Sequence, residues 1–358
     1  MGGSKIEAVP AGGERAGATA AVQPPIPPGP EYLYDWWPAV AADLALGRIA
    51  ATLWDGEDPP ATWECARLSK AAFVYRETAS GRRYLAKFYA AKTPASPERH
   101  GERELAANRA ALAAGLAGGP IRACRVFDAW RGVLFLEYID GLTLDDLIAI
   151  RRDRPGTLGP ALEAAAGLLA RLHVTARGQR PVIDGWEPPT RVALDEARGF
   201  VDDLAHSSVL SGEAVIAAGL RRRLDAWSER SSLTDFGPTL IHGDATTTNF
   251  VFPSAAGVVA IDWERLALGD PADDLGRLAA EVAAGIRSHG GPAEEAEATV
   301  GRILTAYGAA AGAGRVDEPF AERFRFHRAS STLRIARNGW LPQTDRLRLV
   351  AQASALLA

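Results

Sequence analysis

Cysteine is almost missing from this chain. Its two copies, Cys65 and Cys124, stand far apart and outside any CxxC spacing, which excludes a disulfide framework and a cysteine-held metal. They read as small apolar residues of a protein kept in a reducing compartment. Long apolar runs are missing too. Ala-rich stretches such as 161–172 are broken by charge, and none reaches the roughly 20 residues that a membrane span needs. The N-terminus lacks the continuous apolar core of a secretory signal, so the expected place is the cytoplasm, with no membrane contact. Positive charge is not in excess either. Forty Lys and Arg against 44 Asp and Glu leave a formal charge of -4, which argues against the basic face of a nucleic-acid binder. What remains is 358 residues, 47% of them hydrophobic, enough to bury cores in two lobes.

Residues 1–30 are rich in Gly, Ala and Pro and end in PPIPPGP. Such a segment cannot bury enough apolar surface to offset its ordering entropy, so a disordered or polyproline leader is expected. From Glu31 the chain is patterned. Trp36, Trp37, Val40, Leu44 and Ile49 recur near helical spacing, predicting an amphipathic helix that ends near Asp55-Gly56. Phe73-Val74-Tyr75 and Tyr84 to Tyr89, joined by Thr78-Ala79-Ser80-Gly81, predict a hairpin. Ser96-Pro97-Glu98 is a helix start, with a cap hydroxyl and Pro at the first helical position, and the helix should run to about Gly115. Cys124 to Phe127 and Gly132 to Tyr138 read as two further strands.

Beyond Asp140-Gly141 the character changes. Segments 144–150, 158–173, 191–204, 214–227 and most of 293–358 carry helical periodicity, and only 239–262 is strand-like. The expected class is α+β. A small strand-rich lobe over 31–139 precedes a larger helical lobe over 140–358.

The most polar buried-looking stretch is Ile241-His242-Gly243-Asp244-Ala245-Thr246-Thr247-Thr248-Asn249-Phe250. Its ends are apolar, while its middle carries an imidazole, a carboxylate, hydroxyls and an amide. Asp244 and Asn249 have the spacing D-x-x-x-x-N, and Asp262 follows the apolar run Val258 to Ile261. A strand that ends in a carboxylate, just after a loop with a carboxylate and an amide, can converge three oxygen donors. Hard divalent cations take such donors. Metal-assisted phosphoryl transfer asks for the same set: one group to take the proton of the attacking hydroxyl, others to hold metal against phosphates.

These residues resemble the aminoglycoside phosphotransferase and choline kinase family of the protein-kinase-like fold. The resemblance rests on HGD-x-x-x-x-N, then IDWE and GDPADDL, and runs from about Leu68 to the C-terminus. It implies a bilobal fold, ATP and Mg2+ as cofactors and a small-molecule hydroxyl as acceptor. It implies Asp244 as catalytic base and Asn249 and Asp262 as metal ligands. In Tyr84-Leu85-Ala86-Lys87, it implies that Lys87 contacts the nucleotide phosphates, with Glu104, or Glu102 in reserve, as its ion-pair partner. The backbone from Glu137 to Ile139 would meet adenine. The family has glycines between its first two strands, where this chain has Leu68-Ser69-Lys70-Ala71-Ala72-Phe73. The small Ser69, Ala71 and Ala72 permit a looser phosphate cradle and leave GTP open as donor. The missing glycines also motivate an alternative, a catalytically weak nucleotide-binding scaffold. A protein kinase ranks below both, since Gly243 replaces the arginine of H-R-D and no A-P-E follows Asp262.

For the acceptor, the acidic Asp202, Asp203, Glu213 and Glu229 would welcome a cation, and Trp186, Trp263 and Trp340 would stack on a sugar or hold an ammonium group. His242 is expected to support its loop, His173 to be a buried, satisfied imidazole, and Asp270 and Asp274 to brace the helix after the metal loop. Arg325, His327 and Arg328 are expected on a solvated helix face.

Overall fold

The structure, a computed structural model, describes residues 35–39, 43–54, 62–178, 186–190, 192–207, 209–210, 213–253 and 257–358. The leader expected over 1–30 and the turn at Asp55-Gly56 lie outside them. The N-terminal part is an antiparallel sheet in the order β1-β2-β3-β4-β7-β6. Its strands are β1 (Trp37–Pro38), β2 (Trp63–Arg67), β3 (Ala72–Glu77), β4 (Arg83–Phe88), β6 (Val126–Trp130) and β7 (Val133–Glu137). Two helices accompany it, α1 (Leu44–Leu53) and α2 (Pro97–Ala111). The hairpin β3–β4 pairs Tyr75 with Tyr84 and Ala72 with Lys87.

The first helix begins later than its periodicity suggests. Trp37-Pro38 pairs with Cys65 and Glu64 as a strand, and Asp43 caps the helix by accepting from the amides of Ala45 and Leu46. Proline cannot donate in a helix interior, and the tryptophans have partners elsewhere. Trp37 packs edge-on against Phe73, and the Arg76 guanidinium lies 4.1 Å over Trp36.

The expected strand 124–127 is divided. Strand β5 (Ile121–Ala123) runs parallel to β11 (Val258–Ala260), while β6 turns to β7. The buried side chain of Asn108 sits at the break: its amide donates to the Cys124 carbonyl at 2.7 Å and its oxygen accepts from the Val126 amide at 3.3 Å. Backbone groups released by the division thus keep partners.

The rest of the chain is mainly helical: α3 (Leu144–Ala149), α4 (Leu158–Thr175), α5 (Ala193–His206), α6 (Ala214–Ser228), α7 (Pro271–Ser288), α8 (Ala293–Ala311), α9 (Glu318–Ala336) and α10 (Gln343–Leu356). One core joins α4, α7 and α8 through Leu169, Leu172, Leu275, Leu278 and Ile303. A second joins α5, α6, α9 and α10 around Trp227, Phe326 and Leu333. Short strands line the seam between sheet and helices. β5, β11, β10 (Phe250–Phe252) and β8 (Leu142–Thr143) form one sheet, and β12 (Ala267–Gly269) pairs with β9 (Thr239–Ile241) in another. Helix α9 corrects one expectation. Arg325 is exposed, but His327 and Arg328 are buried against α7. The two helices approach closely enough that a Cβ at Gly276 would lie 2.6 Å from the Arg328 amide nitrogen. No helix among the described residues is long and apolar enough to cross a membrane.

Candidate active site

Strand β9 delivers His242-Gly243-Asp244 into the seam. Gly243 has φ +75°, and a Cβ there would meet the Arg265 carbonyl oxygen at 2.1 Å. The turn therefore demands glycine. From below it is held by Asp274, in the first turn of α7. This buried carboxylate accepts from the amides of His242 at 2.7 Å and Gly243 at 2.9 Å, and from His173 Nε2 at 3.1 Å. Burial alone would push its carboxyl up, but His173, His242 and the Gly243 amide bring it below the usual carboxylate range. His173 is satisfied on its other side by the Tyr307 hydroxyl at 3.0 Å. Asp270, as expected, caps α7 through the Ala272 amide, and it also receives Arg323 at 2.8 Å and His327 at 3.2 Å.

The His242 ring closes the loop. Its Nε2 donates to the Ile261 carbonyl at 3.0 Å, and Nδ1 accepts from the Asp244 amide at 3.3 Å. Its ring lies 4.4 Å from that of Trp263, which is fully buried. Asp244 is thereby set at the surface of the seam. Its Oδ1 takes Arg277 Nη1 at 3.0 Å, and its Oδ2 lies 3.9 Å from Arg265 Nε. The Asn249 side-chain amide donates to the Asp244 carbonyl at 2.8 Å.

Asn249 and Asp262 flank the open end of the β10–β11 hairpin, before its first strand and after its second. Phe250 pairs with Ala260, and the Ile261 amide donates to the Asn249 carbonyl at 3.0 Å. Asp262 has φ 61° and ψ 64°, a left-handed conformation that costs a side chain of its kind energy and is often found at functional sites. Lys87, projected from β4, bridges the sheet to this hairpin. Its Nζ is 2.7 Å from Glu104 of α2, 2.8 Å from Asp262 and 3.6 Å from Glu264. Tyr89 donates its hydroxyl to Glu104, and Lys92 meets Glu264 at 2.6 Å. Carboxylate oxygens of Glu104, Asp262 and Glu264 lie within 4.8 Å of one another. Burial would discharge Lys87, yet Glu104 and Asp262 hold its ammonium well above the ordinary lysine value. Burial works against ionisation of Asp262 as well, and Lys87 overcomes it and lowers the carboxyl.

Among the residues expected at the site, Lys87, Glu104 and Asp262 meet directly, and Asp244, Asn249 and Asp262 are linked through one hairpin. Glu104 rather than Glu102 receives Lys87; Glu102 is exposed. Ser69 lies in the β2–β3 turn, closed by Leu68 and Ser69 amides on the Ala72 carbonyl at 2.9 and 3.1 Å. None of its residues has positive φ, so this turn folds without glycine. The Ser69 hydroxyl accepts from the amide of Ala71, the residue before Ala72, which pairs with Lys87. At the other end of β7, the Glu137 amide donates to the Arg125 carbonyl, and its carboxylate binds Arg122 and the Arg125 amide. Ile139 packs partly buried against the main core.

The acceptor cues read from the sequence fare differently. Trp263 is buried and Trp340 is 77% exposed. Asp202 is paired with Arg221 at 2.8 Å and Asp203 with Arg337 at 3.1 Å. Glu264, Arg265, Arg277 and Tyr89 were not anticipated as site residues. Glu264 and Arg265 stand beside Asp262 in sequence, which was a usable signal. Arg277 is 2% exposed within a helix otherwise built into the core, and nothing in its spacing points to Asp244.

A Gly243→Ala variant should test how tightly the loop is specified. The side chain would face both the left-handed φ and the Arg265 carbonyl, so the unfolding free energy should fall by more than about 1–2 kcal/mol. An unchanged denaturation midpoint would contradict the geometry described.

An antiparallel sheet with two helices, followed by a mainly helical part, with a lysine–glutamate pair reaching an aspartate across the seam, defines the kinase-like phosphotransferase fold. A model of the phosphotransferase enzyme family matches residues 64–319, and the chain belongs to that family. Solved structures with this fold include a choline/ethanolamine kinase family protein from Mesorhizobium loti, at 19% identity and TM-score 0.53, covering 80% of this chain and 85% of that one. The ADP-bound aminoglycoside phosphotransferase APH(2'')-Ib has 14% identity and TM-score 0.54, with 88% and 97% covered. The GDP complex of aminoglycoside 2'-phosphotransferase-IIIa has 16% identity and TM-score 0.53, with 88% and 99% covered. The sequence has no match among curated proteins.

Proposed function

We propose that this enzyme transfers the γ-phosphoryl group of ATP, with GTP as the other candidate donor, to a hydroxyl of a small molecule of the aminoglycoside, sugar or amino-alcohol kind. The observation that carries this reading is Lys87, which joins Glu104 of the sheet lobe to Asp262 of the hairpin that also bears Asn249 and leads back to Asp244. In the reaction, the acceptor oxygen forms a bond to the γ-phosphorus, the bond to the β–γ bridging oxygen breaks, and the acceptor proton passes to an Asp244 carboxylate oxygen. Arg277 and the Asn249 amide orient Asp244 for that proton. Lys87, held by Glu104, meets the nucleotide phosphates. The Ser69 turn covers them, and the backbone from Glu137 to Ile139 meets the base.

The donors around Asp262 are oxygens, which suits Mg2+. Asn249 uses its amide nitrogen on Asp244, leaving Oδ1 as its ligand atom beside Asp262, with Glu264 as a further carboxylate. When bound there, Mg2+ would offset phosphate charge. The lobes divide after Ile139, and among the described strands before it β5 crosses to the helical side by pairing with β11. The two free thiols, Cys65 and Cys124, suit the cytoplasm.

The test is ADP or GDP release with labelled nucleotide, Mg2+ and a panel of alcohol acceptors. Transfer of label to an acceptor, abolished by chelation, is the expected result. Failure to bind either Mg2+-nucleotide at millimolar concentration would remove the reading.

A further inference from the structure

The charges around Asp244 bear on what the acceptor can be. Two guanidiniums share this one carboxylate: Arg277 at 3.0 Å, buried behind it, and Arg265 at 3.9 Å, with its side chain 56% exposed beside it. Glu281, one turn beyond Arg277 on α7 and close enough to feel both Arg277 and Asp244, is ion-paired with Arg334 and adds no surplus negative charge. Over Asp244, Arg265, Arg277, Glu281 and Arg334 the balance is one net positive charge. Of the four carboxylates that the sequence offered for a cationic acceptor, Asp202 and Asp203 on α5 are paired with Arg221 and Arg337, and Glu213 and Glu229 are exposed beside α6. An ammonium group brought to Asp244 would meet the guanidiniums of Arg277 and Arg265, which already share its carboxylate. Like charges at such range repel, which selects against a partner as effectively as attraction selects for one.

We propose that the acceptor is a hydroxyl compound carrying an anionic oxygen group, a carboxylate or a phosphate, near the hydroxyl that is phosphorylated, and that Arg265 reads that group. This rests on the phosphotransferase reading above and narrows it. The planar guanidinium of Arg265 matches carboxylate or phosphate oxygens in pairs, and its exposure leaves it open to a ligand at the place where Asp244 takes the proton.

The experiment uses the full chain with Mg2+-ATP and four probes on one skeleton: glucose, glucosamine, gluconate and glucose 6-phosphate. Each is measured as acceptor by ADP release, and as inhibitor of the slow hydrolysis of ATP, in which water is the acceptor. The anionic probes should lead glucosamine by at least tenfold in kcat/KM or in inhibition constant. Gluconate against glucose 6-phosphate separates carboxylate from phosphate recognition. Arg265→Ala should erase the lead and Arg265→Glu should reverse it. Equal response to all probes, a preference for glucosamine, or a uniform loss over all classes in Arg265→Ala (the mark of a guanidinium serving the transferred phosphoryl group) would each overturn the proposal while leaving the kinase reading in place. Absence of both nucleotide binding and hydrolysis in the unaltered protein would overturn the kinase reading, and this proposal with it.

Discussion

Asp244→Asn should lower turnover by about 10²–10⁴-fold, the usual worth of a positioned general base, while nucleotide affinity stays within a few-fold. The variant is informative because so little else changes. The backbone of residue 244 is held by the His242 ring and the Asn249 amide, not by its own carboxylate. An asparagine oxygen can still accept from Arg277, but the amide cannot take the acceptor's proton at neutral pH. Lys87, Glu104 and Asp262 stand on other elements and keep their contacts. Coupled ADP release gives turnover, and calorimetric titration with a non-hydrolysable nucleotide gives affinity. Turnover at the unaltered rate would rule out Asp244 as base. A parallel collapse of nucleotide binding would show that its carboxylate holds the site rather than acting in it.

The second large effect is expected beneath the loop. Asp274→Ala removes one carboxylate and orphans three buried donors, the amides of His242 and Gly243 and the ring of His173. Breaking a buried charged network in this way costs about 3–5 kcal/mol, and leaving donors unsatisfied is the main reason. Urea unfolding at neutral pH should show the loss. The pH profile provides a second readout. Asp274 and Asp270 both have carboxyls lowered in the folded protein. A lowered group contributes stability above its unfolded value of about 3.9, and the contribution is lost as pH falls through the folded value. The unaltered protein should therefore lose stability steeply below about pH 4. Asp274→Ala should start lower and decline less steeply over the same range. An identical acid slope in both would mean that Asp274 is not the anion that secures the loop.

Much of this site was legible before the fold. The pattern HGD-x-x-x-x-N sets Asp244 and Asn249 on one loop, and an apolar strand ending at Asp262 follows. Turn chemistry and strand periodicity then place Lys87 on a hairpin. These are local signals, and local propensity is where sequence patterns are strongest. The first helix was misjudged because two tryptophans at helical spacing also suit a strand edge, and only a partner such as Phe73 or Arg76 decides between them. His327 and Arg328 were misplaced for a related reason. Polar residues on a helix usually face water, but here α9 is enclosed by α7 and α10, and Asp270 and Glu297 give the buried His327 and Arg328 hydrogen-bond partners.

By itself, the order of residues determined which chemistry the chain carries: a carboxylate and an amide on one loop, a second carboxylate after a strand, a lysine on a hairpin and a glutamate on the next helix. Spacing along a helix or strand follows from backbone geometry, so these placements needed no partner. Only the tertiary structure decided that Lys87 meets Glu104 and Asp262 at once, that Asp274 carries the loop from another helix, and that Arg277 and Arg265 flank Asp244. Those contacts join residues far apart in the chain. Their pairing depends on how lobes and helices pack and on the low-dielectric surroundings that make each buried charge require an opposite one.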